Sequence, residues 1–442
     1  MKIDEHSATD VCLDSTILLP ALNGPALGGI TFLNEVIDTF PDAISFAPGA
    51  PHPEFFDELD VSASIERYVR YLREVRGLSD AQVQRHLYQY GPSKGQINDL
   101  LSAALLMDEK IYAPPEAIVV TVGCQEAMVL VLQALCSRDT DVLAIVNPCF
   151  VGISGAAQVL GVDVVAIDET NDGIAIDALQ AACGNARREG RRIRALYLAP
   201  DYSNPSGTLL SLSARHQLLE LAEQEDFLLL EDNAYGFTAE QDLALPTLKA
   251  LDRNRRVIYL GTCAKTCLPG VRVGFVVADQ WIAGENGARR LLADALALIK
   301  SMITVNTSPL CQAIVGGMIL EKGGSLSAVG RDKGVFYRRN LDKLLAALDN
   351  HISLQLRLEK NITWNRPQGG FFVRMRLPVH ADETLLNLCA RTYGVLWTPM
   401  RTFYLDDGGQ FDIRLSCSYL TDEQIEEGAR RLSQFLSDPR VQ

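Results

Sequence analysis

The sequence predicts an α/β protein: a large unit built on a mostly parallel sheet, followed by a smaller α+β unit towards the C-terminal end. Three observations carry this. Near-continuous apolar runs of strand length alternate with helical stretches from Pro115 to Ala278, the pattern of strands covered on both faces. A long apolar helical stretch from about Leu291 to Leu320 then interrupts the alternation. Beyond about residue 325, helices and short strand-like pieces mix over roughly one hundred residues, enough for a small core of their own. At 442 residues the chain exceeds one typical domain. The expected division is an arm or lid over 1–55, a large unit over 56–320 and a small unit over 321–442.

The elements follow in order. Turn signals at Asn23-Gly-Pro25 and Ala47–Pro53 surround one helical piece near Thr31–Phe40. Helical periodicity appears in Val61–Arg76, Ser79–His86 and Gly95–Lys110. Apolar strands are expected at Ala117–Gly123, Asp141–Asn147, Val162–Asp168, Ile193–Ala199, Phe227–Asp232, Arg256–Leu260 and Arg272–Ala278, with a helix over Gln125–Arg138. The C-terminal part shows helical spacing in Val335–Asp349 and Glu423–Leu436 and strand character in Gly370–Arg376 and Asp412–Ser416.

Composition excludes several partners. An apolar fraction of 48% supports a sizeable core, and a formal net charge of −14 argues against nucleic acid and anionic membranes. The ten cysteines are scattered and lack the doubled spacing of a zinc site, so free thiols in a reducing compartment, and no metal, are expected. The N-terminus, Met1–Ser7, is polar and unlike a signal peptide, and no uncharged apolar run reaches membrane-spanning length. A cytoplasmic protein is the expectation.

The chemistry centres on Lys265, in a turn between two apolar strands. A lysine held there loses water, which lowers its pKa and frees the amine to attack carbonyls. Arg272, seven residues on, offers a planar fork for a phosphate. A surface lysine and a strand-edge arginine in an ordinary turn would read the same, so this stretch alone does not decide. Gly123-Cys-Gln-Glu-Ala127 follows a strand and opens a helix, a ready anion site that every such turn resembles. Asp201–Gly207 is rich in turn formers, yet it also places Asn204 at a strand's C-terminal end, where open α/β sheets bind ligands. Glu231-Asp-Asn-Ala-Tyr235 ends another strand. Asp232 there can keep a pyridine nitrogen protonated with Tyr235 beside it, or the stretch can simply cap a helix. Phe150 follows a strand and can stack on a planar ring or belong to the core. Arg414 lies within an apolar run and needs an anion, either a substrate carboxylate or an internal Asp or Glu.

Taken together and in this order, the motifs resemble the fold type I pyridoxal phosphate (PLP)-dependent aminotransferases, within the aromatic and 2-aminoadipate group. The resemblance covers about residues 30–435. It implies a large domain with a seven-stranded, mostly parallel sheet. It also implies Lys265 as the Schiff-base lysine, Asp232 as partner of the pyridinium, and Asn204 and Tyr235 as ligands of the ring oxygen. Phe150 takes the stacking position, where tyrosine is common in the family. Gly123, Cys124, Gln125, Thr262 and Arg272 fall on phosphate-binding positions, with Tyr90 reaching the phosphate of a neighbouring subunit in a homodimer. Arg414 would hold the substrate carboxylate, with Gly49 in the substrate loop and Asn204 beside it.

Within the group, Thr31–Val36, Lys300–Pro309, Trp397–Met400 and Leu415–Leu420 are most similar to 3,5-dihydroxyphenylglycine aminotransferases of antibiotic pathways. Two departures are Asn233-Ala-Tyr-Gly236, where a proline would precede the tyrosine, and Thr262-Cys-Ala in place of a serine-rich approach to the lysine. The implied activity is transamination of an aromatic or arylglycine-like amino acid and keto acid pair. The same scaffold also serves β- or γ-elimination, replacement, and carbon–carbon bond formation, for example with S-adenosylmethionine as substrate. A further rival, the effector domain of a transcription regulator, would need a basic helix-turn-helix segment, for which the acidic N-terminus leaves no room.

Overall fold

A computed structural model describes residues 14–23, 39–136, 138–240, 242–284 and 287–441. The helical piece expected near Thr31–Phe40 lies outside these apart from its last two residues, as does Cys12. The strands in chain order begin with β1 (Ile44–Ser45), followed by β2 (Ile118–Val122), β3 (Asp141–Asn147), β4 (Asp163–Asp168) and β5 (Arg192–Leu198). Next come β6 (Leu228–Asn233), β7 (Val257–Thr262), β8 (Val273–Val277) and a short hairpin, β9 (Trp281–Ala283) with β10 (Arg289–Leu291). The last are β11 (Thr363–Trp364), β12 (Phe372–Arg376), β13 (Val395–Leu396), β14 (Thr398–Pro399) and β15 (Asp412–Ser416).

Seven strands form the central sheet in the order β2-β8-β7-β6-β5-β3-β4. All neighbours are parallel except β8, which runs against both β2 and β7. Every residue of β3 and β8 is buried, as near-continuous apolar runs require, whereas the edge strand β4 is mostly open to solvent. Helices cover both faces. One apolar layer joins Val119, Leu143, Ile145, Leu230 and Leu260 to the helix Gly123–Leu135. The other joins Ala144, Leu196, Leu229 and Val257 to Leu179, Leu218 and Leu221. This last layer rests on the helices Ile176–Arg188 and Leu212–Gln224, which fill intervals where no individual helix is predicted above. Ser211 starts the second of them by accepting from the Ala214 amide.

The stretch 291–320, expected as one long helix, is two: Leu292–Ile303 and Pro309–Glu321. Ser308 caps the second and Pro309 occupies its first turn, where a missing N–H costs nothing. Val305, at φ 65°, turns the chain between them. The helix expected at Val335–Asp349 is longer, Leu326–His351, and is started by the Ser325 side chain.

A four-stranded sheet, β11-β12-β15-β14, forms the C-terminal layer with antiparallel pairing throughout. β1 adds to this region by pairing parallel with β13. Phe46 and Ala47, which follow β1, are fully buried among Leu341, Val373, Trp397 and Leu415. Burying a phenylalanine in this way stabilises by about 1.5–3 kcal/mol, so the segment around residues 44–47 is anchored there.

Candidate active site

The C-terminal ends of β2, β5, β6 and β7 deliver the predicted residues to one edge of the central sheet, facing β12 and β15. On β6, two neighbouring carboxylates point to opposite faces, as strand geometry demands. Glu231 accepts from the amides of Leu248 and Lys249 at 2.7 and 2.8 Å, so it is the one that caps a helix. Asp232 faces the other way and is 7% exposed, its Oδ2 accepting from the Tyr197 hydroxyl at 2.6 Å. Burial pushes the Asp232 carboxyl up to about 6, against the opposing pull of Tyr197, Cys124 and the charge of Lys265. The Cys124 thiol lies 3.9 Å from Oδ1.

Lys265 follows β7 in a turn. Its Nζ donates to the Gly49 carbonyl at 2.6 Å. Loss of water, then the positive charges of Arg414 and Arg272, bring the amine down to about 8, while Asp232 works in the opposite direction. Tyr235 is buried with its ring edge-on to Phe371 and Phe372, and its hydroxyl meets Asn204. Burial raises that phenol, so it stays protonated.

Arg414, on β15, is 2% exposed. It donates to Asn204 Oδ1 at 2.7 Å and to the Ala47 carbonyl at 2.6 Å, and its guanidinium lies 4.4 Å over Phe372 and 5.0 Å over Phe403. Neutral acceptors surround it; among the described residues no Asp or Glu pairs with it, and its Nε has no partner. Burial lowers its pKa to about 10, leaving it a cation at neutral pH. A buried cation with an unused donor and no internal anion is poised for an external one.

The anion turn is also assembled. Gly123 opens its helix at φ 73°, and a Cβ there would stand 2.5 Å from Arg272 Nη2, so the glycine is what lets the guanidinium approach the helix start. Gln125 donates to the Gly152 carbonyl at 2.7 Å. A side chain at Gly152 would strike both Gln125 and Phe150, which places the aromatic ring beside this turn. Thr262, at the end of β7, accepts from the Ala264 amide at 3.2 Å. Thus Gly49, Gly123, Cys124, Gln125, Phe150, Asn204, Asp232, Tyr235, Thr262, Lys265, Arg272 and Arg414 converge. Tyr90 does not: it stands apart with 85% exposure.

Sequence reasoning missed Tyr197, Gly152, Ala47, Phe372 and Phe403. Only Tyr197 carried a local sign, a hydroxyl in the apolar C-terminal half of a strand that begins with Arg192 and Arg194. The others act through a backbone carbonyl, an absent side chain or a ring face, which no spacing reveals.

Residues 64–432 match the family model described as aminotransferase class I and II. The chain is 44% identical over 417 residues to the (S)-3,5-dihydroxyphenylglycine transaminase of Amycolatopsis orientalis, covering 94% of this chain and 93% of that protein. Its structure is similar to that of the multiple substrate aminotransferase of Thermococcus profundus, at TM-score 0.77 and 27% identity over 92% of this chain and 94% of the other. It is also similar to the α-aminoadipate aminotransferase of Thermus thermophilus, solved with N-(5'-phosphopyridoxyl)-L-leucine. That match has TM-score 0.73 and 28% identity over 94% of this chain and 97% of the other. The chain therefore belongs to the class I and II aminotransferases of fold type I, and its cofactor is pyridoxal 5'-phosphate.

Proposed function

We propose that this enzyme moves an amino group between an aromatic or arylglycine-like amino acid and a 2-keto acid, as a step in specialised natural-product biosynthesis. The observation that carries the reading is Arg414: a buried guanidinium without an internal carboxylate, tied through Asn204 to the edge that also holds Asp232 and Lys265. A substrate carboxylate supplies the anion it lacks. Phe372 and Phe403, flanking that guanidinium, and the name of the 44% identical relative support an aromatic side chain.

The residues fit the cofactor. Gly123, Cys124, Gln125, Thr262 and Arg272 offer donors and a cation for its phosphate, and Phe150 a face for its ring. Asn204 and Tyr235 offer hydrogen bonds for its ring oxygen, and Asp232 a buried acid for its ring nitrogen. When bound, PLP supplies an aldehyde that accepts amino groups and a ring that takes up electrons. Lys265 provides the amine that ties the cofactor to the chain. Once free, its Nζ, with proton affinity already lowered, takes and returns the substrate's α-proton. Arg414 and Asn204 orient the carboxylate so that this proton faces Nζ, and the closely packed aromatic residues exclude water.

The active form in this reading is a homodimer in the cytoplasm, with Tyr90 completing the partner's phosphate site. The high exposure of that tyrosine in one chain supports this. No observation favours elimination, replacement or carbon–carbon bond formation, and the most similar relatives reported are aminotransferases by name.

The test is a spectral screen of amino acids against purified holoenzyme. Conversion of the cofactor to its amine form with release of an aryl keto acid is the expected result. Amine formation with aliphatic donors only would reject the substrate class, and keto acid release without amine formation would reject transamination itself.

A further inference from the structure

Asp232 is buried at the end of β6 without a lysine or arginine ion pair among the described residues; its two oxygens face Tyr197 and Cys124. Left to itself, a carboxyl in such a place keeps its proton and cannot hold a heterocycle cationic. Tyr197 sits one strand away on β5, is 1% exposed, and directs its hydroxyl at Oδ2 across 2.6 Å. We propose that Tyr197 is a positioning residue: by donating to Asp232 it keeps that carboxylate ionised and aimed, so that the ring nitrogen it faces stays protonated. This rests on the reading of Asp232 given above.

Three features support it. Hydrogen bonds to charged groups are roughly twice as strong as neutral ones, so the phenol discriminates between the two states of the acid. The phenol remains a donor throughout the working range, because burial and the adjacent carboxylate raise its own pKa well above the ordinary value. The alternative partner, the Cys124 thiol, is a weak donor at 3.9 Å and cannot replace it. The ring of Tyr197 packs with Leu143, Ile145 and Ala195, so Tyr197→Phe keeps the packing and removes only the hydroxyl.

The experiment uses holoenzyme carrying cofactor labelled with ¹⁵N at the ring nitrogen. Wild type, Tyr197→Phe and Asp232→Asn are compared by NMR between about pH 6 and 9. Reduction with borohydride, followed by mass analysis of the Lys265 peptide, reports cofactor attachment independently.

The expected result is that Tyr197→Phe retains attached cofactor while its ring nitrogen loses the proton at least about one pH unit earlier than in wild type. Its kcat should fall about tenfold with a much smaller change in KM. A wild-type resonance in Tyr197→Phe, alongside a clear shift in Asp232→Asn, overturns the proposal and leaves the site reading intact. No shift in Asp232→Asn, or no label on Lys265, overturns the site reading and this one with it. Site-specific 3,5-difluorotyrosine at position 197, a stronger donor, should hold the proton to higher pH than wild type. If Tyr197→Phe does not fold, that substitution decides alone, and a shift in the opposite direction rejects the idea.

Discussion

The Nζ of Lys265 donates to the carbonyl oxygen of Gly49 across 2.6 Å, joining the turn after β7 to the chain that follows β1. Residues 44–47 are locked into the C-terminal core, and the Ala47 carbonyl accepts from Arg414. One short segment therefore touches both the lysine and the arginine.

With the lysine amine at about 8, reactivity appears well below the ordinary lysine range. In cofactor-free protein, the rate at which Lys265 condenses with an added aldehyde should rise with pH to a midpoint near 8. Lys265→Ala should lose all covalent retention of the cofactor and at least about a thousandfold in turnover. Mass analysis after reduction checks the first point and steady-state kinetics the second. A midpoint near that of free lysine would remove the argument from desolvation.

Asp232 works against stability in the absence of cofactor. Its carboxyl is raised from 3.8 to about 6, so the folded state favours the protonated form. That stability is fully present below 3.8 and is lost as pH rises through about 6. Asp232→Asn should therefore stabilise the cofactor-free protein at pH 8 by on the order of 1–3 kcal/mol while weakening cofactor retention. Denaturant melts at pH 5 and pH 8 check it: the gain should be about half as large at the lower pH.

Arg414 holds its place through two directed donors and two aromatic faces. Arg414→Lys keeps the charge and loses the planar fork. It should reduce kcat/KM for the amino acid about a hundredfold or more, mainly through KM. Cofactor content, read from the absorbance of the purified variant, should stay at wild-type level. A variant that binds substrate normally would mean that the carboxylate sits elsewhere.

Gly123→Ala combines a left-handed backbone at φ 73° with a Cβ 2.5 Å from Arg272 Nη2. The guanidinium must move away from the helix start, and in the proposed site the cofactor phosphate would lose a charged partner. Cofactor affinity should fall at least about tenfold, measured by equilibrium dialysis. Gly161→Ala, also at positive φ but with open space around its Cβ, controls for backbone strain alone.

Much of the fold was legible. Each strand of the central sheet lies within two residues of its expected ends, because a doubly covered strand must be apolar along its whole length. The helix break at 304–308 was the clearest difference, since apolar periodicity ran through it and only Ser308-Pro309 signalled a restart. At the site, residue type and position after a strand marked Asp232, Asn204 and Lys265. The choice between Glu231 and Asp232 as helix cap needed the structure, because adjacent strand residues differ only in the face they use.

By itself the sequence determined the apolar strands, the turns that end them, and the polar residues those turns carry. All of these depend on neighbours a few positions apart. Only the tertiary structure decided that Tyr197 reaches Asp232, that Gly49 meets Lys265, and that Phe372 and Phe403 enclose an arginine without a carboxylate. Those contacts follow from the strand order and from residues 44–47 returning to a sheet formed some 350 residues later, pairings that local periodicity cannot express.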